Sequence, residues 1–180
     1  MSSRNRFTVW PKFPTFPWRK TVRALIRILV VDDYAPFRRF ERLAFLAHDE
    51  LQIVGEASDG HEAIQKAEEL KPDLILLDIS LPSLNGIEAA LRIRQVSPNS
   101  KILFVSENRS PDIAEKALST GASGYVVKSD GASELLPAIN AVLEGKRFIS
   151  ASLAGHFLGA TGILASQTIC WIVTLISGMS

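Results

Sequence analysis

At 180 residues, 47% hydrophobic and 22% charged, the chain is long enough to bury one domain core and too apolar to be disordered throughout. One Cys and nine Pro exclude a disulfide scaffold and a collagen-like chain, and the lone Cys170 fits a reducing compartment. The net charge of +1 hides three pieces: residues 1–27 hold seven bases and no acid, residues 28–147 hold all 19 acids, and residues 148–180 carry no Asp, Glu, Lys or Arg.

The amino-terminal piece reads Trp10-Pro11-Lys12-Phe13-Pro14-Thr15-Phe16-Pro17-Trp18. Prolines at three-residue spacing favour an extended polyproline II segment. It reads either as a disordered extension or as a contact to an anionic surface, with bases for attraction and Trp as interfacial anchor. No apolar run follows the early bases, so a signal peptide is not expected.

The middle piece alternates strand-length apolar runs with helical spacing. Runs at Ile28–Val31, Gln52–Ala57, Leu74–Leu77, Ile102–Val105 and Gly124–Val127 are almost unbroken Val, Ile and Leu, as strands buried on both faces require. Between them lie apolar stripes: Phe37, Phe40, Leu43, Ala44 and Ala47 in the first helix; Ala63, Ile64, Ala67 and Leu70 in the second. The third starts after Asn85-Gly86 and shows Ile87, Ala90, Leu91 and Arg94. The fourth runs from an N-cap at Ser110, with Pro111 at N1, to Thr120, where Gly121 stops it. The fifth places Leu135, Ile139, Val142 and Leu143 on one face and ends at Gly145. Five such units predict an α/β fold: a doubly wound, five-stranded parallel sheet with five helices, flanked by irregular terminal extensions.

The carboxyl piece leaves three readings open. Its run from Phe157 to Ile176 is uncharged and long enough for a membrane segment, with Lys146 and Arg147 on its amino side. It also reads as a truncated or out-of-frame remnant replacing a lost output domain, or as a helix folded onto the preceding domain or a partner.

In open parallel sheets a ligand sits outside the carboxyl ends of the strands. Here the strands end in Asp32-Asp33, Ser58-Asp59, Asp78, Ser106 and Lys128. Clustered carboxylates repel one another unless a cation offsets them, and a hard divalent ion such as Mg²⁺ suits oxygen ligands. A metal, an exposed carboxylate and a lysine are the parts that stabilise phosphoryl transfer onto that carboxylate.

The segments Ile28-Leu29-Val30-Val31-Asp32-Asp33, Leu74 through Asp78 to Pro82 and Asn85-Gly86, Phe104-Val105-Ser106, and Gly124-Tyr125-Val126-Val127-Lys128 resemble the receiver domain of bacterial response regulators. The resemblance spans Arg27 to Ile149 and implies a flavodoxin-like fold. It implies that Asp78 accepts a phosphoryl group from a phosphohistidine on a sensor histidine kinase or phosphotransfer protein. Asp33 would bind Mg²⁺ directly, Asp32 through water, and Ser80 through its backbone carbonyl. Lys128 would pair with a phosphoryl oxygen. Ser106 stands at the switch hydroxyl, and Tyr125 at the switch aromatic whose ring moves inward on activation. Two departures stand out: Ser129 follows Lys128 where the family often has Pro, and Glu107 places an acid beside Ser106.

The stretch from Lys128 through Ser150 further resembles receivers joined to a helix-turn-helix output domain, but the uncharged remainder cannot supply one, and no direct nucleic-acid contact is expected. The expected organisation is an arm over 1–26, a receiver over 27–150 and an apolar tail over 151–180. Its function would be Mg²⁺-dependent phosphorelay signalling through partner or homodimer contacts, in the cytoplasm or at a membrane through 157–176, rather than enzymatic turnover. The alternative is a membrane-tethered or phosphorylation-independent scaffold.

Other motifs fail. There is no GxxxxGK[ST] loop or GxSxG elbow, and Gln65 stands where a second zinc-binding His would follow His61-Glu62. His48, His61 and His156 are scattered. A phosphatase working through an aspartyl-phosphate commonly needs a second Asp two residues past the nucleophile, and Ser80 occupies that place.

Overall fold

The computed structural model describes residues 25–159. Chain order is β1 (Ile26–Val31), α1 (Ala35–Phe45), β2 (Leu51–Ala57), α2 (Gly60–Leu70), β3 (Leu74–Leu77) and α3 (Gly86–Val96). Then follow β4 (Lys101–Ser106), α4 (Pro111–Ser119), β5 (Gly124–Val127), a 3₁₀ turn (Lys128–Asp130), α5 (Gly131–Leu143), β6 (Phe148–Ile149) and α6 (Ala151–Gly159). All strands pair in parallel, in the order β2-β1-β3-β4-β5-β6.

Alternate strand residues face opposite sides, as the pleat dictates. Leu29, Val31, Ile75, Leu77, Ile102, Phe104 and Tyr125 pack against α2, α3 and α4. Ile28, Val30, Leu74, Leu76, Leu103, Val105 and Val126 pack against α1 and α5. The two helical layers differ in grain. Ala63, Ala67, Ala89, Ala90, Ala114 and Ala117 line the first, whereas Phe37, Phe40 and Phe45 of α1 with Leu135, Ile139 and Val142 of α5 line the second.

Local chemistry sets the boundaries. The Asp59 carboxylate caps α2 by accepting from the amides of His61 and Glu62, and the Asn85 side chain caps α3 by accepting from Glu88. Gly145 takes φ +82 after α5, where its amide donates to Val142 and that of Lys146 to Ala141. Between β1 and β2 the register slips, so that Ile28 faces Ile53 but Leu29 faces Gly55. Val54 is the extra residue of a bulge.

Several expectations are corrected. Among the described residues the sheet has six strands, because the chain after α5 returns beside β5 for two residues, too short a stretch for a periodic pattern. A sixth helix, α6, follows, so the start of the expected tail is regular, and its Leu153 joins the core beside Ala114 and Ala117. In α1 the buried face is centred on Glu41, which is 1% exposed, while Leu43 is 56% exposed. Phe37, Phe40, Ala44 and Phe45 flank position 41 on the helical wheel, which throws Leu43 to the far side, and Ala47 lies beyond the helix in the open. Likewise Ala89, Ala90 and Ile93 define the buried side of α3, and Leu91 is exposed. Ser110 takes the N-cap place of α4 without a side-chain cap bond.

No helix among the described residues is long and apolar enough to cross a membrane. Residues 1–24 of the expected 1–26 arm and the greater part of the 157–176 segment lie outside the described residues, whereas Ile26 opens β1.

Candidate functional site

The central strands place the acids. β1 and β3 are neighbours, so Asp32 and Asp78, each directly past its strand, come side by side; the Asp78 amide donates to Val31 at 2.8 Å, and that of Asp32 to Ala57 at 3.0 Å. Asp33 is exposed next to Asp32, and the three carboxylates each offer an oxygen within 4.8 Å of the others. Gly86 lets α3 press against this corner, since a Cβ there would overlap the Asp78 carbonyl oxygen.

Lys128, just past β5, reaches across the sheet edge. Its Nζ lies 2.6 Å from Asp32 Oδ2 and 2.7 Å from Asp78 Oδ2, and 4.8 Å from the centre of the Phe37 ring. The side chain is buried, with the residue only 7% exposed. Burial alone would depress its pKa, but the hydrogen-bonded Asp32 and Asp78 outweigh that and raise it. Burial likewise raises Asp32, against the opposing pull of Lys128 and the Tyr34 amide. Asp78 Oδ1 accepts from the amides of Ile79 at 2.6 Å and Ser80 at 3.3 Å. Ser80 itself is exposed beside the cluster.

Ser106 ends β4 fully buried, and its Oγ accepts from the Asn108 amide at 3.4 Å. Tyr125 on the next strand is also fully buried; its hydroxyl donates to the Asn108 carbonyl at 2.8 Å. Burial pushes its phenol up to about 12, with the Ser106 hydroxyl opposing. The ring thus already lies inward. Asp32, Asp33, Asp78, Ser106, Tyr125 and Lys128 therefore gather where the sequence puts them. Asp59 does not join: it is spent on capping α2.

Three carboxylates against one ammonium leave an excess of negative charge, made of hard oxygen donors. That donor set fits Mg²⁺. Sequence reasoning missed two neighbours. Arg38 donates to the Asp32 carbonyl at 2.6 Å and pairs with Glu56, which holds the turn after β1. Glu41 lies within the electrostatic reach of Asp32, Lys128, Asp78 and Glu56; burial raises its pKa well above the usual carboxylate range. Its Oε2 has no hydrogen-bond partner among the described residues.

Comparison with known proteins agrees with the geometry. A family model described as the response regulator receiver domain matches residues 28–140. Response regulator GacA of Pseudomonas viridiflava is 37% identical over 130 residues, covering 72% of this chain and 61% of that protein. Chemotaxis protein CheY of Thermotoga maritima is 36% identical over 116 residues, covering 64% of this chain and 96% of that protein. The chain thus spans about three fifths of the GacA relatives it matches. Among solved structures, a two-component response regulator of the LuxR family from Aurantimonas sp. SI85-9A1 superposes with TM-score 0.71 at 36% identity, covering 75% of this chain and 96% of that one. The isolated receiver domain of RcsB from Salmonella enterica serovar Typhimurium, at 23% identity and TM-score 0.69, shares the fold.

Proposed function

The chain belongs to the response regulator receiver family of two-component signalling, and from that premise we propose that Asp78 is its phosphoryl acceptor and that the fold is a switch rather than a turnover enzyme. One observation carries the reading: Lys128 Nζ sits between Asp32 and Asp78 at the carboxyl edge of the sheet.

A carboxylate oxygen of Asp78 attacks the phosphorus of a phosphohistidine on a sensor kinase or phosphotransfer protein. The P–O bond forms as the P–N bond breaks, and the released imidazole nitrogen keeps the bonding pair and takes up a proton from solvent. Asp33, Asp78 and the Ser80 backbone carbonyl, with Asp32 through water, would hold Mg²⁺, which would supply charge neutralisation to the phosphoryl oxygens. Lys128 exchanges its Asp78 contact for a phosphoryl oxygen, and being buried and ionised it needs little reorganisation to do so. Ser106 donates to a second phosphoryl oxygen, while Tyr125 lies inward over the space that Ser106 leaves. The change is then read on the surface of α4, β5 and α5 by a partner or a second copy of the chain.

In this proposal residues 27–150 form the receiver, preceded by the arm over 1–26 and followed by the tail over 151–180, and the meeting with the kinase takes place in the cytoplasm. The test is labelling of the full chain by acetyl phosphate, read on a phosphate-affinity gel. A retarded band that needs Mg²⁺ and vanishes completely in Asp78→Asn is the expected outcome. An unshifted band from folded protein would hand the site to the phosphorylation-independent scaffold.

A further inference from the structure

The segment after α5 is fastened to the same strand and turn that carry Tyr125 and Lys128. β6 lies beside β5 with Ile149 opposite Tyr125, and the Ser150 amide donates to the Tyr125 carbonyl at 2.9 Å. The Ser150 hydroxyl is fully buried; it accepts from the Val127 amide at 2.9 Å and donates to the Glu134 carboxylate. The other Glu134 oxygen accepts from the Ala151 amide at 3.1 Å, at the first residue of α6. One residue on, the Ser152 hydroxyl donates to Asp130 at 2.6 Å. Asp130 closes the 3₁₀ turn that Lys128 opens. Its second oxygen accepts from Ser129, whose hydroxyl in turn accepts from Arg109 in the loop just past Ser106. The polar chain therefore runs unbroken from the switch hydroxyl's loop to the start of α6.

Beyond these anchors α6 lies on α4. Leu153 and Ala154 are buried, and Leu153 and Phe157 pack into the cluster that contains Ala114, Ala117, Leu118 and Tyr125. Over its described residues 151–159, α6 is held by these anchors and this apolar seat. The docked state coexists with the inward Tyr125, whose hydroxyl is fixed to Asn108.

We infer that β6–α6 is an internal docking partner of the α4–β5 face, which holds Tyr125 inward and thereby raises the affinity of the receiver for the phosphoryl group. The inference rests on the phosphoryl-acceptor reading and adds its regulation: anything that displaces α6 from α4 weakens phosphorylation, and phosphorylation tightens α6. Linkage requires the two effects to be equal in size.

The experiment uses the full chain with beryllofluoride and Mg²⁺ as phosphoryl mimic. Hydrogen exchange reports α6, and titration calorimetry reports beryllofluoride affinity. In the wild-type chain, exchange at residues 152–157 slows by roughly fivefold on saturation. Glu134→Ala removes the polar anchor and Leu153→Asp the apolar one, neither touching the acceptor site. In each, α6 exchanges faster without ligand and the half-saturating beryllofluoride concentration rises by roughly fivefold. Fast α6 exchange with unchanged affinity overturns the inference, as does slow exchange in both variants, while leaving the acceptor reading intact. Absence of beryllofluoride binding in the wild-type chain removes both, and is recognised because the variants are then not needed.

Discussion

The two sides of the sheet solve the same packing problem with different materials. Toward α2, α3 and α4 the helices come close on alanine, so the layer is thin and intolerant of added volume. Toward α1 and α5 the gap is filled by Phe, Leu, Ile and Val, with Glu41 enclosed among them. Side chains that fill space leave cavities when cut, whereas side chains that create closeness leave strain when enlarged. The difference teaches where each mutation type should hurt.

The largest expected effect is truncation on the filled side. Ile139→Ala should lower stability by about 3 kcal/mol, read as a shift in urea midpoint, because the wholly buried side chain leaves a void. A loss under about 1 kcal/mol would mean that α5 can collapse onto the sheet and the contrast is weaker than drawn.

Next comes Glu41→Leu, expected to stabilise by about 2 kcal/mol at neutral pH by replacing an unpartnered buried acid with an apolar side chain. The pH dependence has a definite sign. Burial raises the folded-state pKa above the ordinary 4.5, so the folded state holds a proton that the unfolded chain has released. The stability contributed is complete below about pH 4.5 and declines as pH climbs toward the raised folded value. The advantage of the leucine variant should therefore widen from pH 4.5 upward; an advantage that narrows would show Glu41 ionised and paired.

On the thin side, Ala63→Leu should cost about 1.5 kcal/mol by overpacking α2 against the sheet, although it adds apolar area. An equal substitution stabilising the chain would erase the distinction between the layers. The smallest effect is expected of Asn85→Ala, about 1 kcal/mol from loss of the cap bond to Glu88, confined to exchange at the first turn of α3.

Legibility in the sequence followed how local each signal was. Leu74–Leu77 and Gly124–Val127 are read to the residue because a buried central strand is a bare apolar run, and the residue that ends each run lands at the sheet edge. That is why Asp32, Asp78, Ser106 and Lys128 can be brought together on paper. The phase of α1 was not legible: Leu43 is a better core residue than Glu41 by polarity, and only the aromatics on both sides of position 41 reveal the true face. β6 escaped for another reason, and α6 entered only as one of three readings of the carboxyl piece. Their stability comes from Glu134, Asp130 and β5, and a contact made across sequence leaves no period in the segment that receives it.

The bulge at Val54 and the brevity of β6 have a joint consequence for how this molecule meets others. A sheet grows by offering a straight row of free backbone groups at its border, the route by which extended peptides add and fibrils nucleate. One border here is kinked by an extra residue, and the other presents only two residues before the chain turns into a helix. Among the described residues neither is a template. Recognition is thereby left to side chains on helices and loops, where specificity can be written residue by residue.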